Sequence, residues 1–168
     1  MRRGLLIGLG LSLLALPASA QVTEPQALVI TARNVTAQVD GRAVVVSEAG
    51  LPDDVIEYRL AFTNLTDGAV SHVVLNDPLP KGLIFIPGSV TASREDMLVE
   101  YSIDGGVSWS FEPTVEVQEG GETVIRPAPA EIYTHVRWTV TGEVKSGAQV
   151  FARFRTRVAG GAESGGDA

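Results

Sequence analysis

The sequence predicts an all-β protein, an immunoglobulin-like antiparallel β-sandwich with an extra N-terminal hairpin. Apolar and polar residues alternate over short runs, and Gly, Pro, Asn and Asp interrupt these runs at intervals of about 8–12 residues. No long stretch carries the i, i+3, i+4, i+7 apolar spacing of a helix. Parallel α/β folds are excluded because they need crossover helices. Alternating strands with frequent turns are typical of a sandwich.

The first 20 residues have the pattern of a secretory signal peptide. Arg2 and Arg3 form a basic start, an uncharged apolar run covers Gly4–Leu16, and small residues follow Pro17 up to Ala20. The run is shorter than the roughly 20 residues that span a bilayer. We therefore expect a signal peptide at 1–20, a sandwich domain at 21–158 that is periplasmic or secreted, and a disordered Gly-rich acidic tail at 159–168.

Composition excludes several classes of function. The 168 residues include 13 Lys and Arg, 20 Asp and Glu, and no Cys. Disulfides, thiol catalysis, Cys-based zinc sites and iron–sulfur clusters are therefore impossible. The acidic balance disfavours nucleic acid as a partner. His72 and His135 are the only histidines, too few to make a metal site alone. We predict no cofactor and no membrane span in the mature chain.

The first predicted element is a hairpin around Asp40-Gly41, a pair that favours a tight type I′ turn. Its strands are Val35–Val39 and Arg42–Val46. A two-residue turn places the valines of both runs on one face, as a half-buried hairpin requires.

The clearest strand is Val55–Thr63, in which Ile56, Tyr58, Leu60 and Phe62 share one face and Glu57, Arg59, Ala61 and Thr63 share the other. Further strands are predicted, in order, at Val70–Leu75, Leu83–Ile86, Met97–Ser102, Phe111–Val117 and Thr123–Ile125. The segment Asn76–Gly82 should end the first of these, because each of its prolines lacks a ladder donor.

The last predicted strands are Tyr133–Val140 and Ala148–Val158, which follow a stiff connection at Pro127–Pro129. The final strand should turn its apolar residues inward and Arg153, Arg155 and Arg157 outward. Arg137 of the preceding strand is a candidate fourth member of this basic stripe, which has two interpretations. It is either a solvated face that deters edge pairing or a contact for an acidic partner or anionic glycan.

Ser102 to Trp109 match the Asp-box pattern S-x-D-x-G-x-S/T-W. In such a box the Asp104 carboxylate accepts backbone N–H groups across a tight hairpin, and Trp109 packs over the turn. Sialidase-type propellers repeat this box, whereas it occurs once here, so we predict a structural hairpin. Acids at predicted turns leave a calcium site as an alternative: Asp53, Asp54, Asp67, Asp77 and Asp104.

Three segments resemble the conserved-repeat domain of bacterial surface proteins, the domain of unknown function numbered eleven. Asp54–Asn64 resembles its D-x-(hydrophobic)-x-Y … T-N strand, Leu75–Leu83 its D-x-(L/I)-P-x-G element, and Pro87-Gly88-Ser89 the P-G-S that follows. The turn at Asp104–Gly106 and the last two strands extend the similarity. The resemblance implies an exported immunoglobulin-like sandwich of the cell envelope without catalytic residues. This chain carries one copy and adds the N-terminal hairpin.

We therefore expect a non-enzymatic cell-envelope structural or protein-interaction module whose partner is an envelope protein or a glycan. The contact loops predicted from turn content are Asn76–Gly82, Asp104–Trp109 and Gly120–Pro129. The candidate interaction residues are Asp77, Asp104, Trp109, Arg153, Arg155 and Arg157. A glycan- or calcium-binding module is the alternative. A hydrolase is a third class, although no nucleophile-elbow or zinc-protease motif is present.

Overall fold

The computed structural model describes residues 27–41 and 50–160. The larger sheet contains β1 Leu28–Asn34, β2 Val55–Thr63, β4 Leu83–Phe85, β5 Thr91–Ala92 and β10 Gln149–Val158. The smaller sheet contains β3 Val73–Pro78, β6 Met97–Ser102 and β9 His135–Val140. A separate hairpin pairs β7 Thr114–Glu119 with β8 Glu122–Pro127. Two short helical turns are α1 Thr36–Val39 and a 3-10 turn at Ala130–Ile132.

The core lies between the two sheets. Leu60, Trp138 and Phe154 are fully buried there, and the ring centroids of Trp138 and Phe154 are 5.9 Å apart. Tyr58 stacks on Phe154 with a centroid distance of 5.0 Å. Burying one such large side chain contributes about 1.5–3 kcal/mol. The predicted all-β sandwich is confirmed, and so are the alternating faces of β2 and β10.

The last strand lies at the centre of the larger sheet. The strand order is β1-β2-β10-β4, and β5 also pairs with β10; the smaller sheet has the order β3-β9-β6. In an immunoglobulin constant domain, by contrast, the last strand pairs with the sixth strand, in the sheet that does not contain the first strand. This chain therefore has the sandwich architecture with its own connectivity. Because β10 has neighbours on both sides, its arginines protect no edge, and that part of the first interpretation is wrong; the arginines do lie on the outward face.

The predicted first strand of the N-terminal hairpin, Val35–Val39, is wrong. The chain forms the helical turn α1 there, after β1 has ended at Asn34. The Oδ1 of Asn34 accepts the N–H of Thr36 at 3.0 Å and its hydroxyl at 2.6 Å, a local turn that replaces strand pairing. Val35 is then buried, and its N–H donates to the Val55 carbonyl at 2.8 Å.

Three of the sequence predictions lie wholly or largely outside the described residues. They are the signal peptide at 1–20, the second hairpin strand at Arg42–Val46 and the tail beyond residue 160. Within the described residues, no helix is long and apolar enough to cross a membrane.

The strand predicted at Val70–Leu75 is displaced toward the C-terminus and continues to Pro78. Pro78 lies opposite His135, and the next residue, Leu79, donates its N–H to the Thr134 carbonyl at 2.8 Å. The missing N–H of Pro78 therefore faces the free side of β3, an edge strand, where it removes no ladder bond. As a result Asp77 lies within a strand and faces the core, whereas the sequence placed it in a loop.

The strand predicted at Phe111–Val117 begins later, at Thr114. Ser110 still pairs with Tyr101 of the smaller sheet, and the chain leaves that sheet between Phe111 and Pro113. The hairpin β7–β8 therefore has no other strand beside it among the described residues.

Candidate functional site

Five arginines lie on the outer face of the larger sheet: Arg33 of β1, Arg59 of β2, and Arg153, Arg155 and Arg157 of β10. We call this surface the arginine face. Strand alternation turns these side chains outward because their chain neighbours point into the core. Glu57 is the one acidic residue on the same face of the described strands.

Two of these arginines are held by protein groups. Arg155 donates to Oε2 of Glu57 from Nε at 3.1 Å and from Nη2 at 3.0 Å. Arg157 donates from Nη1 to Oδ2 of Asp40 at 3.3 Å and to the Asp53 carbonyl at 3.0 Å. Ion pairs that are this accessible to solvent stabilise a fold by at most about 1 kcal/mol. Their main effect here is to fix the two guanidinium groups in place.

The other three arginines have no carboxylate partner among the described residues. Arg59 and Arg153 lie directly opposite each other on neighbouring strands, where Cβ atoms are about 5 Å apart. The Arg59 guanidinium lies 4.3 Å from the ring centroid of Phe151 and makes a cation–π contact with that ring. Arg33 and Arg153 are exposed. Within residues 27–41 and 50–160, no ion pair therefore neutralises the positive charge at the centre of the arginine face.

A depression of about 160 Å³ lies among these side chains. It is lined by Thr31, Arg33, Glu57, Arg59 and Arg153. Guanidinium groups are planar, permanently charged and able to donate two parallel hydrogen bonds to one oxyanion. Because Glu57 already accepts hydrogen bonds from Arg155, the polar groups that remain available in the depression are mainly hydrogen-bond donors. This arrangement can bind a carboxylate, sulfate or phosphate group.

The Asp-box loop is closed by its own hydrogen bonds, as the sequence predicted. The Asp104 carboxylate accepts the N–H of Val107 at 3.1 Å and the N–H of Ser108 at 2.9 Å. The hydroxyls of Ser108 and Ser102 donate to it at 2.5 and 2.7 Å. These bonds, those from Ser108 first, lower the pKa of Asp104 to about 2. The carboxylate thus stabilises the loop through hydrogen bonds within it.

Trp109 lies over the same turn, and its Nε1 donates to the Gly106 carbonyl at 3.1 Å. The Arg137 guanidinium lies 4.0 Å from the Trp109 ring centroid, and the His135 ring meets it edge-on at 6.0 Å. Glu100 accepts from Nη2 of Arg137 at 2.7 Å. Asp104 and Trp109 therefore lie together beside the smaller sheet, apart from the arginine face.

Asp77 is separated from both groups. It faces the core with 6% of its surface exposed, and its Oδ2 has no hydrogen-bond partner in the part of the chain that the structure describes. Burial raises the pKa of Asp77 to about 6. Asp54, another acid considered for calcium, is also buried and accepts from Asn34 Nδ2 and from the Leu51 N–H, both at 2.9 Å. Across residues 27–41 and 50–160, no group of three or more His, Cys, Asp or Glu side chains is placed to hold a metal ion.

The sequence predictions for this face included Arg153, Arg155 and Arg157, with Arg137 as a candidate fourth member, and omitted Arg33 and Arg59. The inclusion of Arg137 is wrong, because it lies on β9 of the smaller sheet and pairs with Glu100. Arg59 was correctly placed on the outward side of its strand, but its pairing with β10 was not predicted. Arg33 was omitted because β1 was not recognised. The alternation and β-branched residues of Leu28–Asn34 were the signal for that strand.

Comparison with protein-family models, curated proteins and solved structures finds no match to this chain. The resemblance to the conserved-repeat surface domain therefore stays a prediction from sequence motifs.

Proposed function

We propose that this chain is an exported, non-catalytic interaction module of the cell envelope and that its arginine face binds an anionic glycan. The signal-like first 20 residues and the motif resemblance support export to the envelope. The observation that carries the binding proposal is the opposition of Arg59 and Arg153 at the centre of the sheet, where neither forms an ion pair with a described residue.

Like charges directly opposite each other on neighbouring strands destabilise a sheet by roughly 0.2–1 kcal/mol. Opposite charges on paired residues avoid this repulsion. The next outward-facing pair of the same two strands has such charges, because Glu57 lies opposite Arg155. An anion placed between Arg59 and Arg153 would replace the repulsion by charge-assisted hydrogen bonds to both groups. The depression beside them supplies the space for it.

A glycan fits this face better than a protein partner does. The centre of a protein interface is formed by Trp, Tyr and Arg side chains packed in desolvated pockets, whereas Arg153 on this face is exposed and its neighbouring ring, Phe151, is covered by the Arg59 guanidinium. Outward residues repeat about every 7 Å along a strand, so one charged polymer can reach several guanidiniums of β10. The formal net charge of the chain is −7, so attraction to a polyanion requires a local patch of this kind.

The experiment is retention on two immobilised polyanions, heparin as a sulfated probe and polygalacturonate as a carboxylated probe. Wild-type protein should bind at low ionic strength and elute with salt, since the contacts are between charges. The double variant Arg59→Gln/Arg153→Gln should flow through. The matched control Arg94→Gln/Arg126→Gln removes the same charge from arginines that each have a carboxylate partner elsewhere, and it should be retained.

Two outcomes would contradict the proposal. One is flow-through of wild-type protein on both columns at low ionic strength. The other is an equal loss of retention in the face variant and the control variant, which would mean that overall charge governs binding.

A further inference from the structure

A second candidate site is an aromatic cleft of about 410 Å³. It opens between the edge strands β4 and β6, beside the base of the β7–β8 hairpin, and not on the outer face that carries the arginines. Its side-chain lining is mostly rings and prolines: Phe85, Pro87, Tyr101, Phe111, Glu112, Pro113, Thr114, Pro127 and Tyr133. The volume is in the range of small-molecule sites, about 300–1,000 Å³.

Three of the rings form one cluster at the cleft. Phe85 and Tyr133 stack with centroids 5.0 Å apart, Phe85 and Tyr101 are 5.4 Å apart, and Tyr101 meets Tyr133 edge-on at 5.5 Å. Phe111 adds a fourth ring that is 60% exposed. Aromatic faces attract a cation that lies within about 6 Å of the ring centroid. A group that enters this cleft therefore meets several electron-rich surfaces.

The cleft also contains an unneutralised carboxylate. Glu112 lines it and is exposed, no Lys or Arg lines it, and Glu112 makes no ion pair within the described residues. Burial, and after it the charge of Glu112, raises the pKa of Tyr133, so the carboxylate is close enough to influence that hydroxyl. The cleft combines apolar walls with one negative charge, which is complementary to a cation that has an apolar body.

We propose that this cleft binds a small organic ammonium ion, held by Glu112 and by the rings of Tyr101, Phe111 and Tyr133. A peptide that adds a strand is a poorer fit, because Tyr101 and Ser110 already exchange both backbone hydrogen bonds, at 2.8 and 3.0 Å. The edge of β6 beside the cleft is therefore occupied. The proposal is independent of glycan binding, since it uses none of the arginines.

The test is a titration of the ¹⁵N-labelled protein with choline, followed by NMR. The matched probe is 3,3-dimethyl-1-butanol, which has the shape of choline without its charge. Choline should shift the amide signals of the cleft, and the neutral probe should not at equal concentration. Glu112→Gln should weaken choline binding about 1.4-fold to fivefold, the range expected for losing one accessible ion pair. The control Glu122→Gln removes a glutamate at the hairpin tip and should bind as wild type does.

Phe111→Ala is the second variant, because its exposed ring can be removed without opening the core. It should also weaken choline binding while the dispersion of the spectrum is kept. Equal shifts from choline and the neutral probe would overturn the proposal, as would unchanged affinity in Glu112→Gln. Binding of trilysine in the absence of any response to choline would also overturn it, in favour of a basic protein segment.

Discussion

We expect the buried carboxyl group of Asp77 to make the stability of this protein fall as pH rises from about 4 to about 6. The pKa of Asp77 is raised by burial from 3.8 to about 6, and no described residue forms a hydrogen bond with its Oδ2. Because the folded-state pKa is above the unfolded value, the folded protein holds this proton more tightly. The resulting stabilisation is complete below the unfolded pKa and is lost as pH rises through the folded pKa.

The size of the effect follows from the shift. About two pKa units correspond to about 3 kcal/mol between acidic and neutral solution, of which about 1.4 kcal/mol lies between pH 5 and pH 7.5. Asp77→Asn keeps the shape of the side chain and removes the buried charge. The variant should therefore be more stable than wild type at neutral pH, by up to about 3 kcal/mol, and its advantage should shrink toward acidic pH.

The assay is urea unfolding followed by tryptophan fluorescence, at about pH 7.5 and about pH 5. The matched control is Asp67→Asn, which removes one carboxylate from an exposed loop and should follow the wild-type pH profile. Wild-type protein should gain stability at the lower pH, and Asp77→Asn should gain less. If wild type and Asp77→Asn shift by the same amount between the two pH values, the carboxyl group of Asp77 is not the source of the dependence.

Two further predictions concern stability. Arg153→Gln should raise the melting temperature at low salt, by an amount equivalent to roughly 0.2–1 kcal/mol, because it removes the repulsion between Arg153 and Arg59. The gain should shrink in high salt, and a gain of the same size at both salt concentrations would contradict this reasoning. Asn64→Ala should lower the free energy of unfolding in urea by about 2–3 kcal/mol, because buried Asn64 donates from Nδ2 to two main-chain carbonyls at 2.8 and 2.9 Å. The exposed control Asn76→Ala should lose much less, and an equal loss would refute the assignment.

Most of the sandwich could be predicted because strand alternation is a local property. The outward or inward direction of each residue in β2 and β10 follows from its neighbours along the chain, and the structure confirms it for both strands. Val35–Val39 alternates equally well but forms a helical turn. The hydrogen bonds from Thr36 to Asn34 compete there with strand formation, and they are also local. Whether they prevail depends on the packing of this turn against β2, which comes from elsewhere in the chain.

The candidate site was predictable only in part, because it depends on which strands are neighbours. The sequence indicates that Arg59 and Arg153 both point outward. Their opposition requires that the last strand return to the centre of the larger sheet and pair with β2 in one particular register. The alternation of each strand limits its register to steps of two residues, but it does not indicate which strand is the neighbour or which of those registers forms.

Two features of this fold destabilise it, and they differ in what can relieve them. The repulsion between Arg59 and Arg153 is at the surface, where an anion that enters the depression can remove it. The buried charge of Asp77 lies between the sheets, where only protonation of the carboxylate can remove it. A ligand that binds the folded protein and not the unfolded chain stabilises the fold, by an amount that grows with the logarithm of the ligand concentration relative to Kd. Anionic glycans should therefore raise the melting temperature of wild-type protein and of Asp77→Asn alike, and leave Arg59→Gln/Arg153→Gln unchanged. This pattern would assign binding to the arginine face and keep it separate from the pH dependence of the core.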